Sequence, residues 1–234
     1  MVLKIALVKY MSGFLLLIGI ALCCSRCDSS GNDSVKEFEG VITYRIVHQH
    51  DPDSARYGDT VLIYYAKGNI VKQYNSKTIG GIAKEVFLAE KGINYVTRTG
   101  TDSVYQFDLR QNPLQLVSTK HELPENRILG HICEKLEMRQ LYKGQNTFYV
   151  YNSYYYSPGY LPVNTAHFND WNYGGFKDYI NTAGCFYLKS ESDIQYYGQQ
   201  DLVKRIYYAV NVKEKTLDPS IFEVDTSNLT FIIH

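Results

Sequence analysis

The sequence has no excess of charge of either sign, with 24 basic residues against 24 acidic ones in 234. Without a basic stripe, nucleic-acid binding through bulk electrostatics is excluded. No long apolar run follows residue 24, which argues against a multi-span membrane chain. From residue 36 onward there is no Pro-rich linker, repeat period or low-complexity run, so roughly 200 residues can form one domain. Methionine (3) and tryptophan (1) are scarce, but there are 22 Tyr against 10 Phe. Tyrosine favours strands and half-wet surfaces, so composition alone leans to β-structure.

Motifs for chemistry are missing too. The Ser-Gly pairs Ser12-Gly13 and Ser30-Gly31 lie in the leader and tether, and no G-x-S-x-G exists. Gly80-Gly81 and Gly174-Gly175 lack the Lys-Ser/Thr partner of a phosphate loop. HELPE at 121–125 has the outline of a zinc-protease helix, but Glu125 stands where the second His is needed. Pro124 would also break the presenting helix. His48 and His50, in HQHDPD, would share a strand face but have no third ligand. His121, His131, His167 and His234 are scattered. No catalytic residue, metal or cofactor is therefore expected, and the chain reads as a non-enzyme.

Residues 1–27 have an address. Lys4 and Lys9 precede an apolar core from Phe14 to Cys24, too short for a span and suited to export. The cluster Cys23, Cys24, Cys27 at its end resembles a bacterial lipoprotein signal, which implies Cys24 as the acylated residue, ahead of Cys23. The alternative is an ordinary secretory signal cleaved nearby. Residues 28–36 follow as a flexible tether, and 37–234 as a single β-rich domain. The mature chain would carry 21 basic and 24 acidic residues, a net charge of −3.

Period-two alternation dominates that domain. Phe38, Ile42, Tyr44 and Ile46 share one face. Ile206, Tyr208, Val210 and Val212 are set against Arg205, Tyr207, Asn211 and Lys213. Phe186, Leu188, Ile194 and Tyr196 are set against Tyr187, Lys189, Glu191 and Asp193. Strands are expected near 38–49, 59–66, 69–75, 83–90, 93–98, 103–108, 128–139, 146–152, 185–196, 202–213 and 221–225. Turns fall at KGN 67–69 and KG 91–92. Only 163–180 reads as partly helical. The expected fold is mainly β (α+β), a single large curved antiparallel sheet (half-barrel) with one or few short covering helices.

Several segments carry a family resemblance: FEGVI at 38–42, YYAKGN at 64–69, ILGHICEKLEM at 128–138, FYVYNSYYY at 148–156 and RIYYAVNVKEKTLDPSIFEVDTS at 205–227. Together they resemble uncharacterised Gram-negative envelope lipoproteins related to the LolA/LolB lipoprotein-carrier superfamily. The chain departs from that pattern at Asp225, where the family usually has Pro, and in the Tyr-rich 153–180. The resemblance implies a curved sheet around a hydrophobic cavity with a helical lid. It also implies an outer-membrane lipoprotein in the cell envelope, facing periplasm or cell surface.

Cys133 and Cys185 both fall on the polar side of their strands. A disulfide between them would close a loop of about 50 residues, worth about 4 kcal/mol on the loop-entropy model; two separately buried thiols are the alternative. Aromatic residues crowd 142–179. Tyr149, Tyr151, Tyr155 and Trp171 are the candidate ligand-binding residues, lining a pocket or forming a surface patch. The expected function is binding of a hydrophobic small molecule or lipid in the concavity of the sheet, with the membrane held through the N-terminal acyl anchor. The alternative is a surface-displayed module that binds a protein or glycan through a Tyr-rich patch.

Overall fold

The computed structural model describes residues 36–111, 114–142, 147–195 and 202–231. The leader, with the expected anchor Cys24, lies outside the described residues. Glu37–His234 forms one compact unit. It is one large, open, curved sheet with few helices. The strands are β1 (Gly40–Gln49), β2 (Thr60–Ala66), β3 (Asn69–Tyr74), β4 (Ile82–Leu88), β5 (Ile93–Arg98), β6 (Val104–Asp108), β7 (Leu114–Ile128), β8 (His131–Tyr142), β9 (Phe148–Tyr156), β10 (Lys189–Gln195), β11 (Val203–Glu214) and β12 (Leu229–Phe231). Their order across the sheet is β12-β6-β5-β4-β3-β2-β1-β11-β10-β9-β8-β7. Neighbours are antiparallel except β12 against β6.

Two hairpins explain how the chain turns so tightly. Lys67 and Gly68 both have positive φ (48° and 79°), as do Leu129 and Gly130 (50° and 84°). Paired left-handed residues match the right-handed twist of the strands they join. The second hairpin corrects the expected strand 128–139. Ile128 ends β7, the turn is Leu129-Gly130, and β8 starts at His131.

The inner face of the sheet holds Phe38, just ahead of β1, and Ile42, Tyr44 and Ile46 of β1, all exposed by 3% or less. It continues through Val61, Ile63 and Tyr65 of β2 and Ile70 of β3. Residues 157–188 cross this face and cover it. They include short 3-10 turns at Thr165–Phe168 and Tyr173–Gly175, a helix α1 (Phe176–Ala183), and Leu161, Phe168, Trp171, Tyr179 and Ile180 in the core. Trp171 stacks on Phe87 at 4.9 Å between ring centres. Tyr44 donates a 2.5 Å hydrogen bond to the Tyr187 carbonyl and so ties cover to sheet. The partly helical expectation for 163–180 is met here, and the helix ends at Gly184 in the left-handed conformation.

Three expectations need correction. Residues 114–128 form a long edge strand that alternation did not reveal, because most of its described side chains are exposed. An edge strand tolerates Pro124, which sits in the register shift between Glu122 and Asn126. Residues 221–225 are not a strand, since a 3-10 turn at Pro219–Phe222, capped by Asp218, occupies that stretch.

The third correction is a face reversal in β11. The β1·β11 register shifts between Thr43 and Tyr44, pairing Ile42 with Val212 but Tyr44 with Ala209. From Ala209 downward, the inward side chains are therefore Ala209, Tyr207, Arg205 and Val203. Tyr208 and Val210, expected inside, are 39% and 50% exposed.

Candidate functional site

Most of the concavity is filled by the chain's own cover, but one part stays open. A cleft of about 410 Å³ lies between Tyr173-Gly174 of the cover and the inner face of β8–β11. Its walls are Leu114, Tyr142, Phe148, Val150, Tyr154, Ile194, Val203 and Tyr207, with Asn152, Ser192 and Arg205 as the polar groups. A mostly apolar cleft of this size with few polar groups is what a small-molecule site requires.

The register places these residues together. Val150 lies opposite Ile194, Asn152 opposite Ser192, and Tyr154 opposite Ser190. Ser192 in turn faces Arg205, and Ile194 faces Val203. A polar row therefore crosses the floor: Ser192 donates to Asn152 Oδ1 (2.6 Å), and Asn152 Nδ2 donates to Gln140 Oε1 (2.8 Å). Gln140 is fully buried, and its Nε2 has no hydrogen-bond partner among the described residues. That nitrogen lies directly under Gly175, where an added Cβ would come within 1.9 Å of it. Gly175 has φ +71°, so glycine is needed there for both conformation and space.

Arg205 is the one charged side chain among the cleft's described walls. Its Nε and Nη2 both donate to Asp51 Oδ2 (3.0 and 2.7 Å), and its guanidinium lies 3.8 Å from the Tyr57 ring centre. His48 Nδ1 is 2.9 Å from the same carboxylate oxygen, and the ring's other nitrogen is 2.9 Å from the Gly58 carbonyl. The Asp53 N–H donates to Asp51 Oδ1 (3.0 Å). Burial pushes the Asp51 carboxyl up, but the bonds from Arg205, His48 and the Asp53 backbone outweigh it and hold the group below its ordinary value. Further along the inner face, Glu85 accepts from Tyr74 (2.9 Å) and lies 4.0 Å from Lys72 Nζ.

The expected ligand residues are divided between two places, with only Tyr149 and Tyr151 in ring contact, 6.2 Å between centres. Trp171 belongs to the cover and is packed into the core, 5% exposed. By register Tyr149, Tyr151 and Tyr155 face the opposite, outer side of the sheet, since Val150, Asn152 and Tyr154 face inward. Their rings are met by cations of the same sheet. Arg139 lies 4.2 Å from the Tyr149 centre and 5.7 Å from Tyr151, and Lys189 lies 4.6 Å from Tyr155, with Lys135 at 5.8 Å on its other flank. Lysine stems laid along Tyr155 leave it 8% exposed.

Sequence reading missed Arg205, Asn152, Ser192 and Tyr207. The face of β11 could have been found by counting from Ala209 rather than Val212, but only knowledge of the bulge would license that choice.

Cys133 and Cys185 stand as free thiols, both 1% exposed, so the expected bridge gives way to the alternative of buried thiols. Cys185 Sγ donates to the Ser157 carbonyl (3.6 Å) and Cys133 Sγ to the His131 carbonyl (3.5 Å). Burial first, then Glu134 and Cys133, pushes the Cys185 thiol up to about 12. Neither is a nucleophile in this setting.

The histidines of HQHDPD separate: His48 is tied into the Asp51 network, while His50 is exposed with φ 51°. Among the described residues, no three His, Cys, Asp or Glu side chains group as a metal site. No described helix is long and apolar enough to cross a membrane. No protein-family model matches the chain, and no curated protein matches it.

Proposed function

We propose that this chain is a non-enzymatic cell-envelope lipoprotein that binds a hydrophobic small molecule or acyl chain on the inner face of its sheet. The observation that carries the reading is the cleft under Tyr173-Gly174, whose walls are aromatic and aliphatic and which the protein's own cover leaves unfilled. The export-type leader and the Cys23-Cys24 cluster supply the envelope part of the proposal. The alternative, a docking patch built on Tyr149, Tyr151 and Tyr155, is less well supported because Arg139, Lys135 and Lys189 already occupy those ring faces.

The test is native mass spectrometry of the full chain, followed by organic extraction, beside an Ile194→Trp variant that fills the cleft. A stoichiometric apolar ligand that disappears in the variant is the expected result. A wild-type protein that carries nothing and ignores hydrophobic fluorescent probes would overturn the reading.

A further inference from the structure

The cleft has a charged residue in its wall, and the obvious expectation is that Arg205 receives an anionic head such as a carboxylate. The geometry argues the opposite. The guanidinium already gives two hydrogen bonds to one Asp51 oxygen, and its flat face is covered by Tyr57. Asp51 is the more deeply buried partner, its side chain 2% exposed against 18% for Arg205, so the counter-charge is not lost to solvent. The next charges on this face, Glu85 and Lys72, also lie beside each other. A carboxylate entering the cleft would lose its hydration, find no unmatched positive charge and stand close to Asp51. An ionised group buried without a partner is strongly unfavourable. An ammonium head fares no better, because the acceptors of Asp51 are taken by Arg205, His48 and the Asp53 N–H.

Neutral polar groups have somewhere to go. The Ser192 hydroxyl uses its hydrogen on Asn152 and keeps its lone pairs, while Asn152 Nδ2 uses one hydrogen on Gln140 and keeps the other. Side by side on the cleft floor, they offer one acceptor and one donor, the complement of an alcohol hydroxyl.

Resting on the cleft being a ligand site, we infer that it selects uncharged amphiphiles with a hydroxyl-type head over ionised ones. Asp51 sets that preference by neutralising Arg205. Asp51 is a specificity-determining residue here and touches no ligand.

The experiment measures displacement of the neutral probe N-phenylnaphthylamine from the full chain by decanol, decanoate and decylamine, at mildly alkaline pH where decanoate is ionised. Decanol is expected to compete at a concentration about tenfold or more below either ion. Because any apolar cleft disfavours ions to some degree, Asp51→Asn provides the specific arm. Freeing the Arg205 charge should shift the decanol-to-decanoate ratio about tenfold toward decanoate and leave decylamine unimproved. Decanoate equal to or tighter than decanol in the wild type overturns the inference while the cleft reading stands. An unchanged ratio in a folded Asp51→Asn protein overturns the role of Asp51. If neither the probe nor any of the three binds the wild type, the cleft is not a ligand site and both readings fall.

Discussion

Asp51→Asn also tests the structural account of the inner face, independently of any ligand. The substitution keeps shape and an amide oxygen for the Asp53 N–H, but removes the charge that pairs with Arg205. Arg205 is then left largely buried, with one face on Tyr57 and no counter-ion. Removing one partner of a buried pair costs about 3–5 kcal/mol, and the retained oxygen places this case near about 3 kcal/mol. For a domain of this size that corresponds to a fall in Tm of about 6–12 °C.

The pH dependence gives a second reading of the same bond. The folded Asp51 carboxyl lies below its unfolded value of about 3.9, so its contribution is fully present above that pH and is lost as pH falls toward the folded value. Urea titrations of wild type and variant should therefore differ most near neutrality, and the gap should narrow on acidification below about pH 4. Adding Arg205→Gln to Asp51→Asn should recover most of the loss, because no unpaired charge remains. A single variant within about 1 kcal/mol of wild type at neutral pH would refute the buried-pair account, since that is the range of an exposed pair.

The other predictions are more local. Gly175→Ala should cost about 1–2 kcal/mol more than Gly174→Ala in urea melts: both glycines have φ near +70°, but only Gly175 has Gln140 against it. Equal costs would mean the Gln140 contact is soft. Tyr44→Phe should destabilise by about 1–2 kcal/mol, because the buried Tyr187 carbonyl loses its donor; a neutral effect would show that water replaces it. Cys133 and Cys185 should resist alkylation in the native protein and both react in denaturant without reductant, read by peptide mass spectrometry. A linked Cys133–Cys185 peptide instead would restore the bridge that the sequence suggested.

How far the fold could be read from sequence differs strand by strand, and the reasons are physical. In β1 the alternation of Ile42, Tyr44 and Ile46 is readable because one face is sealed by the cover and the other is not. In β7 nothing alternates, because Leu116, Val117 and Leu123 are all exposed along an edge and no burial pressure sorts the two faces. In β11 alternation is present but misleading. The one-residue shift opposite Thr43/Tyr44 turns Arg205 and Tyr207 inward, while their neighbours Tyr208 and Val210 keep hydrophobic identities on an exposed face.

The candidate site inherits that difficulty. Counting Tyr residues in 149–155 pointed to the right strand, yet the cleft is made by the residues between them, Val150, Asn152 and Tyr154, which face the other way. The paired tyrosines on the outer face are explained by Arg139, Lys135 and Lys189 opposite them, a cross-strand ladder in which cations shield rings from water. Aromatic density in a strand therefore splits by parity into two jobs, and only the register says which job belongs to which ring.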